Sequence, residues 1–180
     1  MLTIPISADP AKDDLSTPIT PPATRYDLAL SLEVAEHLPA ASADVFVDSL
    51  TALSDFVVFS AAIPGQGGRH HINEQWLEYW LERFEKRGYV GLDVIRRHIW
   101  HDTDIADWYR QNVILLARST QLDELNLDVP PAAVKPVSLV HPDAYTYKLD
   151  RHREQIARNE SLKGAWKLFR RAVRARGRGG

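Results

Sequence analysis

The hydrophobic pattern of residues 26–118 alternates between short apolar runs and segments with a helical period. The runs at 26–31 and 56–59 predict two buried strands, because they lack the helical period and the second is rich in β-branched and aromatic residues. The runs at 89–95 and 113–117 predict two more. Between the first two strands, residues 40–54 place apolar side chains at helical spacing behind Pro39, which predicts a helix.

A glycine-rich loop at 64–68 follows the second strand. Asn73 is predicted to cap the next helix, which ends at Gly88. Its apolar stripe has the spacing of a buried helix face and consists of Trp76, Tyr79, Trp80 and Phe84. The segment between the last two strands is irregular or briefly helical, so those strands are expected to pair antiparallel. The alternation of strands and helices along the chain predicts an α/β fold with a mostly parallel sheet.

Both ends of the chain differ from this central region. Five prolines make residues 1–24 an extended arm with at most one short strand near residues 2–6. Residues 25–118 form the predicted α/β domain, 119–147 a linker and 148–180 a basic helical tail. The tail helix is expected to start near Ser161, and 176–180 to be disordered. One face of this helix would carry Leu162, Trp166, Phe169 and Val173.

Composition and charge narrow the class of protein. The 180 residues are 44% hydrophobic and 26% charged, as in a soluble globular domain. The absence of cysteine excludes disulfides, thiolate zinc sites and iron–sulfur clusters. No apolar run is long enough to span a membrane and no basic leader precedes the first residues, which favours a cytoplasmic protein.

The net charge of -2 hides an uneven distribution. From Lys148 onward eleven Lys and Arg face three Asp and Glu, so the body is acidic and the tail basic. The tail is interpreted first as a solvated or docked amphipathic helix. A second interpretation is contact with nucleic acid or an anionic membrane, and a third is docking on the acidic body. The cations concerned are Lys163, Lys167, Arg170, Arg171 and Arg174.

Four ordered segments carry a resemblance to a known family. Residues 25–39 read RYDLALSLEVAEHLP, 60–68 SAAIPGQGG, 71–76 HINEQW and 108–112 WYRQN. These segments resemble parts of class I S-adenosylmethionine-dependent methyltransferases. In order, they resemble the fourth strand with its turn, the end of the fifth strand, the start of the helix that follows it, and the approach to the last strand. The resemblance covers about residues 12–118.

The resemblance implies half of a Rossmann-like methyltransferase sheet. The family sheet has the order 3-2-1-4-5-7-6, and the four predicted strands would be strands 4, 5, 7 and 6, followed by a C-terminal helical extension. The implied cofactor is S-adenosyl-L-methionine. The glycine-rich turn that normally binds this cofactor is absent before Tyr26. Asp14 would bracket the adenine, and Leu32 and Glu33 would contact the methionine part.

A missing first strand would leave the strand at 26–31 as an unpaired apolar edge. Such an edge invites pairing with another chain. We therefore expect a homodimer, aggregation or a partner chain that covers residues 26–31.

Methyl transfer needs a positioned acceptor and, for a hydroxyl, a base that takes its proton. His37 and His71 are the predicted catalytic residues, since imidazole titrates near neutral pH. Glu36, Asn73 and Trp76 are predicted to bind the substrate. The alternative is that Asn73 only caps a helix and that His70 and His71 are only loop residues. Either Trp100 or Trp108 could close over the substrate.

A metal site is the weaker interpretation of the same residues. Glu33 and His37 are four apart, and His98 and His101 form a second pair. A zinc peptidase needs a third ligand and a paired-histidine motif, whereas the first position here is Glu33. The sequence therefore assigns no metal ligand.

These observations favour methyl transfer to a small-molecule acceptor, a sugar or natural-product hydroxyl. The alternative is a non-catalytic, truncated methyltransferase remnant that acts as a binding or assembly partner. A third interpretation, a nucleic-acid-binding module, is supported by the basic tail alone.

Overall fold

The structure, a computed structural model, describes residues 14–20 and 23–176, without the side chains of residues 168 and 171–176. The predicted strand near residues 2–6 and the predicted disorder of 177–180 lie outside the described residues. The regular elements are β1 (Ala29–Leu32), α1 (Ala43–Leu53), β2 (Phe56–Ser60), α2 (Leu77–Glu85), β3 (Tyr89–Leu92), α3 (Arg96–Ile99), α4 (Asp107–Asn112), β4 (Ile114–Arg118) and α5 (Pro142–Arg176). Short 3₁₀ turns lie at Ala35–His37, Ala40–Ser42, Ser119–Leu125 and Pro131–Val134.

The four strands form one mixed sheet in the order β1-β2-β4-β3. β1 and β2 run parallel, with Ala29 opposite Val57 and Leu32 opposite Ser60. β4 is antiparallel to both β2 and β3, which confirms the antiparallel pairing predicted for the last two strands. The fold is α/β, as predicted, but its sheet is mixed rather than mostly parallel.

The first strand is only half buried, so the prediction of a fully buried strand at 26–31 was wrong. Ala29 and Ser31 are buried, whereas Leu28, Leu30 and Leu32 are 46%, 56% and 37% exposed. Alternate side chains of a strand point to opposite faces of the sheet. These three leucines therefore share one face that remains open, and β2 is the strand with which β1 pairs in the described part of the chain.

The opposite face of the sheet carries the main core. α1 contributes Phe46, and α2 contributes Trp80 and Phe84, all buried against the sheet. The ring of Phe59 on β2 lies 5.5 Å from the rings of both Trp80 and Phe84, centroid to centroid. Burial of such aromatic side chains supplies much of the stability of a small domain.

A second, smaller core lies on the other face of the sheet, over β3 and β4. Leu92 and Ala117 are buried there with Val134. Leu122 and Leu125, which the sequence assigned to the linker, pack against this cluster.

The helix after the glycine loop begins later than predicted. α2 starts at Leu77 with Trp76 as its N-cap, so the prediction that Asn73 caps this helix was wrong. The hydroxyl of Ser138 accepts a hydrogen bond from the Leu77 amide at 3.2 Å and thus caps the helix from a distant part of the chain. The buried stripe is Leu77, Trp80, Leu81 and Phe84, while Trp76 is exposed.

Residues from 140 onward form a separate unit. The long helix α5 begins at Pro142, so the prediction of a helix that starts near Ser161 was wrong. Its Trp166 and Phe169 rings stack at 5.5 Å, and both side chains are exposed, as is Leu162. The Val173 side chain lies outside the described residues. Within the described ranges, no helix has the length and apolar character needed to cross a membrane.

Candidate functional site

Three titratable side chains meet where β1 and β2 end. Glu36 and His37 lie in the 3₁₀ turn that follows β1, and His71 lies in the loop that follows β2. Because β1 and β2 are parallel, their carboxyl ends share one edge of the sheet. The two predicted catalytic histidines therefore meet in space, with ring centroids 4.9 Å apart.

Backbone hydrogen bonds hold the loop after β2 against the turn after β1. The carbonyl oxygen of Glu36 accepts from the amides of Ile72 and Asn73, at 2.9 and 3.0 Å. Nδ1 of His37 lies 3.2 Å from the carbonyl oxygen of His70. Because a carbonyl only accepts, this contact places the hydrogen on Nδ1 and leaves the lone pair of His37 on Nε2.

His71 is oriented by a carboxylate in the same loop. Its Nδ1 lies 3.0 Å from Oε1 of Glu74, so Nδ1 carries the hydrogen and Nε2 the lone pair. The amides of Gly65 and Gly67 also donate to this carboxylate, at 2.7 and 2.6 Å. Burial alone would raise the pKa of Glu74, but the hydrogen bonds from His71, Gly67 and Gly65 outweigh it and hold the pKa below its usual value. Glu74 is therefore an anion that fixes the His71 ring.

Gly68 provides the space that the His71 ring occupies. A Cβ at position 68 would lie 2.2 Å from Nε2 of His71, far inside van der Waals contact. Any side chain there would displace the ring from its place beside Glu36.

The backbone of the neighbouring His70 is in a left-handed conformation, with a φ of 62°, which is costly for a residue other than glycine.

Glu36 is the buried acid of the cluster. Its side chain is 0% exposed and neither carboxylate oxygen has a hydrogen-bond partner. Burial, with a smaller contribution from the nearby Glu33 charge, raises the pKa of Glu36 from 4.5 to about 7. The backbone amides of Glu36 and Ala62 and the nearby His71 lower the pKa by less than burial raises it. Neither amide makes a hydrogen bond to the carboxylate. Oε1 of Glu36 faces Nε2 of His71 at 4.0 Å.

Glu33 lies beside this group but is bound by other residues. Its φ of 54° is left-handed, and its side chain accepts from Gln66 at 2.7 Å and from Asn112 at 3.1 Å. The backbone amide of Glu33 donates a hydrogen bond to the carbonyl oxygen of Ser60 on β2, at 3.0 Å. These contacts connect the ends of β1 and β2 with the start of β4.

The residues predicted to bind the cofactor do not make a complete site within the described ranges. The carboxylate of Asp14 accepts from the amide and hydroxyl of Ser16, at 3.0 and 2.6 Å. Both oxygens of Glu33 are used by Gln66 and Asn112. Leu32, at the end of β1, is exposed, and the first glycine in the sequence is Gly65. The Leu32 side chain has no polar atom, and the Glu33 carboxylate is already bonded at both oxygens.

The predicted substrate residues are only partly brought together. Asn73 is buried next to the cluster, and its Oδ1 accepts from Gln75. Trp76 and Trp108 are both exposed. A small cavity of about 10 Å³, room for about one water molecule, is lined by Arg96 and Asn112 but not by the cluster.

Sequence reasoning missed the residues that hold the cluster in place. Glu74 fixes His71, Gly68 makes room for it, and Gln66 and Asn112 bind Glu33. The spacing of Glu74 three residues after His71 was the available signal, because a loop can close such a pair locally.

Comparisons with protein-family models, with curated proteins and with solved structures give no significant match to this chain.

Proposed function

We propose that this chain forms the acceptor side of a S-adenosylmethionine-dependent methyltransferase that acts on a small molecule with a hydroxyl group. One observation carries the proposal. The strand order β1-β2-β4-β3 is the order that the resemblance implies for strands 4, 5, 7 and 6. The predicted catalytic histidines also lie at the carboxyl ends of parallel strands, where open α/β sheets bind their ligands.

The chain's own residues offer a base for the acceptor. His37 is exposed, and its Nε2 lone pair is free to take a proton from a hydroxyl. The hydrogen on Nδ1 is held by the His70 carbonyl, which fixes the tautomer before the acceptor arrives. Glu36, beside it, would stabilise the protonated imidazole when ionised.

Cofactor binding tests the proposal. The full chain, including the residues outside the described ranges, is expected to bind S-adenosylhomocysteine with a dissociation constant in the micromolar range, about -8 kcal/mol. Glu33→Gln should weaken binding indirectly, because it disturbs the hydrogen bonds from Gln66 and Asn112 that fix the turn after β1. Titration calorimetry is the measurement, and Glu85→Gln, at an exposed helix position, is the matched control. A folded chain that binds neither S-adenosylhomocysteine nor S-adenosylmethionine would contradict the proposal.

A second candidate function is assembly without catalysis, and the open strand β1 favours it. Leu28, Leu30 and Leu32 expose one apolar face beside an edge whose backbone groups lack a second strand within the described residues. Unpaired edges of this kind associate with other chains. A second copy or a partner chain that pairs with β1 would cover both the edge and the leucines.

Substitution of Leu30 tests this candidate. The wild-type chain is expected to sediment as a dimer or larger species at micromolar concentration, and Leu30→Lys to shift it toward monomer, because a charge on the open face opposes association. Sedimentation velocity over a concentration series is the measurement. Val137→Lys, at an exposed position outside the sheet, is the control. A wild-type chain that remains monomeric throughout would rule this candidate out.

A further inference from the structure

We propose that Glu36, His37 and His71 together bind a divalent transition-metal ion. One ligand atom from each of the three lies within 4.8 Å of the others. They are the one such group of three or more histidine, aspartate and glutamate side chains in the described part of the chain. His98 and His101, the second pair noted in the sequence, do not belong to it.

The buried carboxylate of Glu36 is independent support for a ligand. Both of its oxygens are fully buried and neither has a hydrogen-bond partner. Native proteins rarely leave buried polar groups unsatisfied, and each such group calls for an explanation. A cation beside Glu36 would supply the missing partner and remove the cost of an isolated buried charge.

The two histidines are already oriented as ligands. In each ring Nδ1 is engaged, by the His70 carbonyl for His37 and by Glu74 for His71. Each Nε2 therefore keeps the lone pair that a metal needs. A carboxylate or carbonyl that accepts from the distal ring nitrogen is the arrangement found around metal-bound histidines.

The donor set indicates the class of ion. Two imidazoles and one carboxylate suit Zn²⁺, Fe²⁺ or another first-row divalent ion, and leave coordination positions open for an exogenous ligand. A tetrahedral Zn²⁺ ion with bonds of about 2.1 Å places its ligands roughly 3.4 Å apart. The group would therefore contract by roughly 1 Å on binding, through movement of the exposed His37 side chain and a smaller approach of Glu36 and His71, which are 4.0 Å apart.

This inference goes beyond the proposed methyl transfer and does not depend on it. Nε2 of His37 cannot bind a metal and accept a proton from a substrate at the same time. A metal would thus replace the imidazole as the group that the acceptor meets. Metal binding can be measured without cofactor or substrate, so its outcome is separate from that of the proposed function.

The test uses the untagged full chain after removal of metals with a chelator. Titration calorimetry with ZnCl₂ is expected to show one site with a micromolar or lower dissociation constant, and CoCl₂ to give the visible absorption of a bound ion. Glu74→Gln should weaken binding about 10- to 100-fold, as loss of an outer-sphere partner does. Glu36→Gln and His71→Ala should weaken it more. Gly68→Ala should also weaken it, because the new Cβ displaces Nε2 of His71.

The matched control is the double variant His98→Ala/His101→Ala, which removes two exposed histidines outside the group. Its affinity is expected to equal that of the wild type. Circular dichroism establishes that each variant is folded. Binding in the millimolar range, binding unaffected by Glu36→Gln and His71→Ala, or binding lost in the double control variant would each overturn the proposal.

Discussion

Arg96→Met is expected to lower the free energy of unfolding by about 3–5 kcal/mol, the cost of breaking a buried ion pair by removing one partner. Arg96 is almost completely buried. Its guanidinium donates to both carboxylate oxygens of Asp93, at 2.9 and 2.6 Å. It also donates to the carbonyl oxygens of Gln111 and Val137, at 3.1 and 3.0 Å. One side chain therefore joins the end of β3, the helix α4 and the segment before residue 140.

Urea unfolding at pH 7 measures this effect, with Arg97→Met as the matched control. Arg97 is the next residue in the same short helix and is exposed, so its substitution should change stability by less than about 0.5 kcal/mol. Arg96→Lys should recover only part of the lost stability. A lysine ammonium cannot reproduce the forked guanidinium, which donates both to the carboxylate and to the two backbone carbonyl oxygens. If Arg96→Met and Arg97→Met unfold at the same urea concentration, the ion pair contributes nothing to stability.

The strands could be predicted from sequence because their signal is local. Apolar, β-branched runs at 56–59 and 113–117 correspond to β2 and β4, and the short connection before β4 predicted its antiparallel pairing. The burial of β1 could not be predicted in the same way. An apolar run indicates a strand, but Leu30 is exposed because nothing in the described chain covers that face.

The candidate site could be predicted only as a list of residues. The sequence named His37, His71 and Glu36, but their approach depends on the loop after β2 folding back onto the turn after β1. That path is fixed by the Glu74 contacts and by the space at Gly68, which no periodic pattern reveals. Buried Arg96 lacks a sequence signal for the same reason, since its partners at 111 and 137 are distant in the chain.

Glu36→Gln is expected to raise the free energy of unfolding of the metal-free chain by as much as about 3 kcal/mol at pH 8. Burial raises the pKa of Glu36 from 4.5 to about 7. Between these two values the folded chain holds a proton that the unfolded chain has lost. Stability therefore falls as the pH rises from about 4.5 to about 7, and above this range the folded chain carries the full cost of a buried charge. Glutamine has the same shape without the charge and avoids that cost.

Urea unfolding of the metal-free wild type and of Glu36→Gln at pH 5 and pH 8 measures this difference. At pH 5 the gap between them should shrink to about 1 kcal/mol, because Glu36 is then protonated in the folded chain. Glu85→Gln, at an exposed position of α2, should show no such change. Parallel pH profiles for the wild type and Glu36→Gln would contradict the raised pKa.

The order of stability should reverse when zinc is added. A ligand that binds only the folded chain stabilises it by about 4.1 kcal/mol at a concentration about 1,000 times its dissociation constant, which exceeds the deficit of about 3 kcal/mol at pH 8. The wild type, with Glu36 as a ligand, should gain this stability, whereas Glu36→Gln should gain little. A charge that destabilises the metal-free chain and stabilises the metal-bound one is expected of a ligand. A residue buried only for structural reasons would show the first effect without the second.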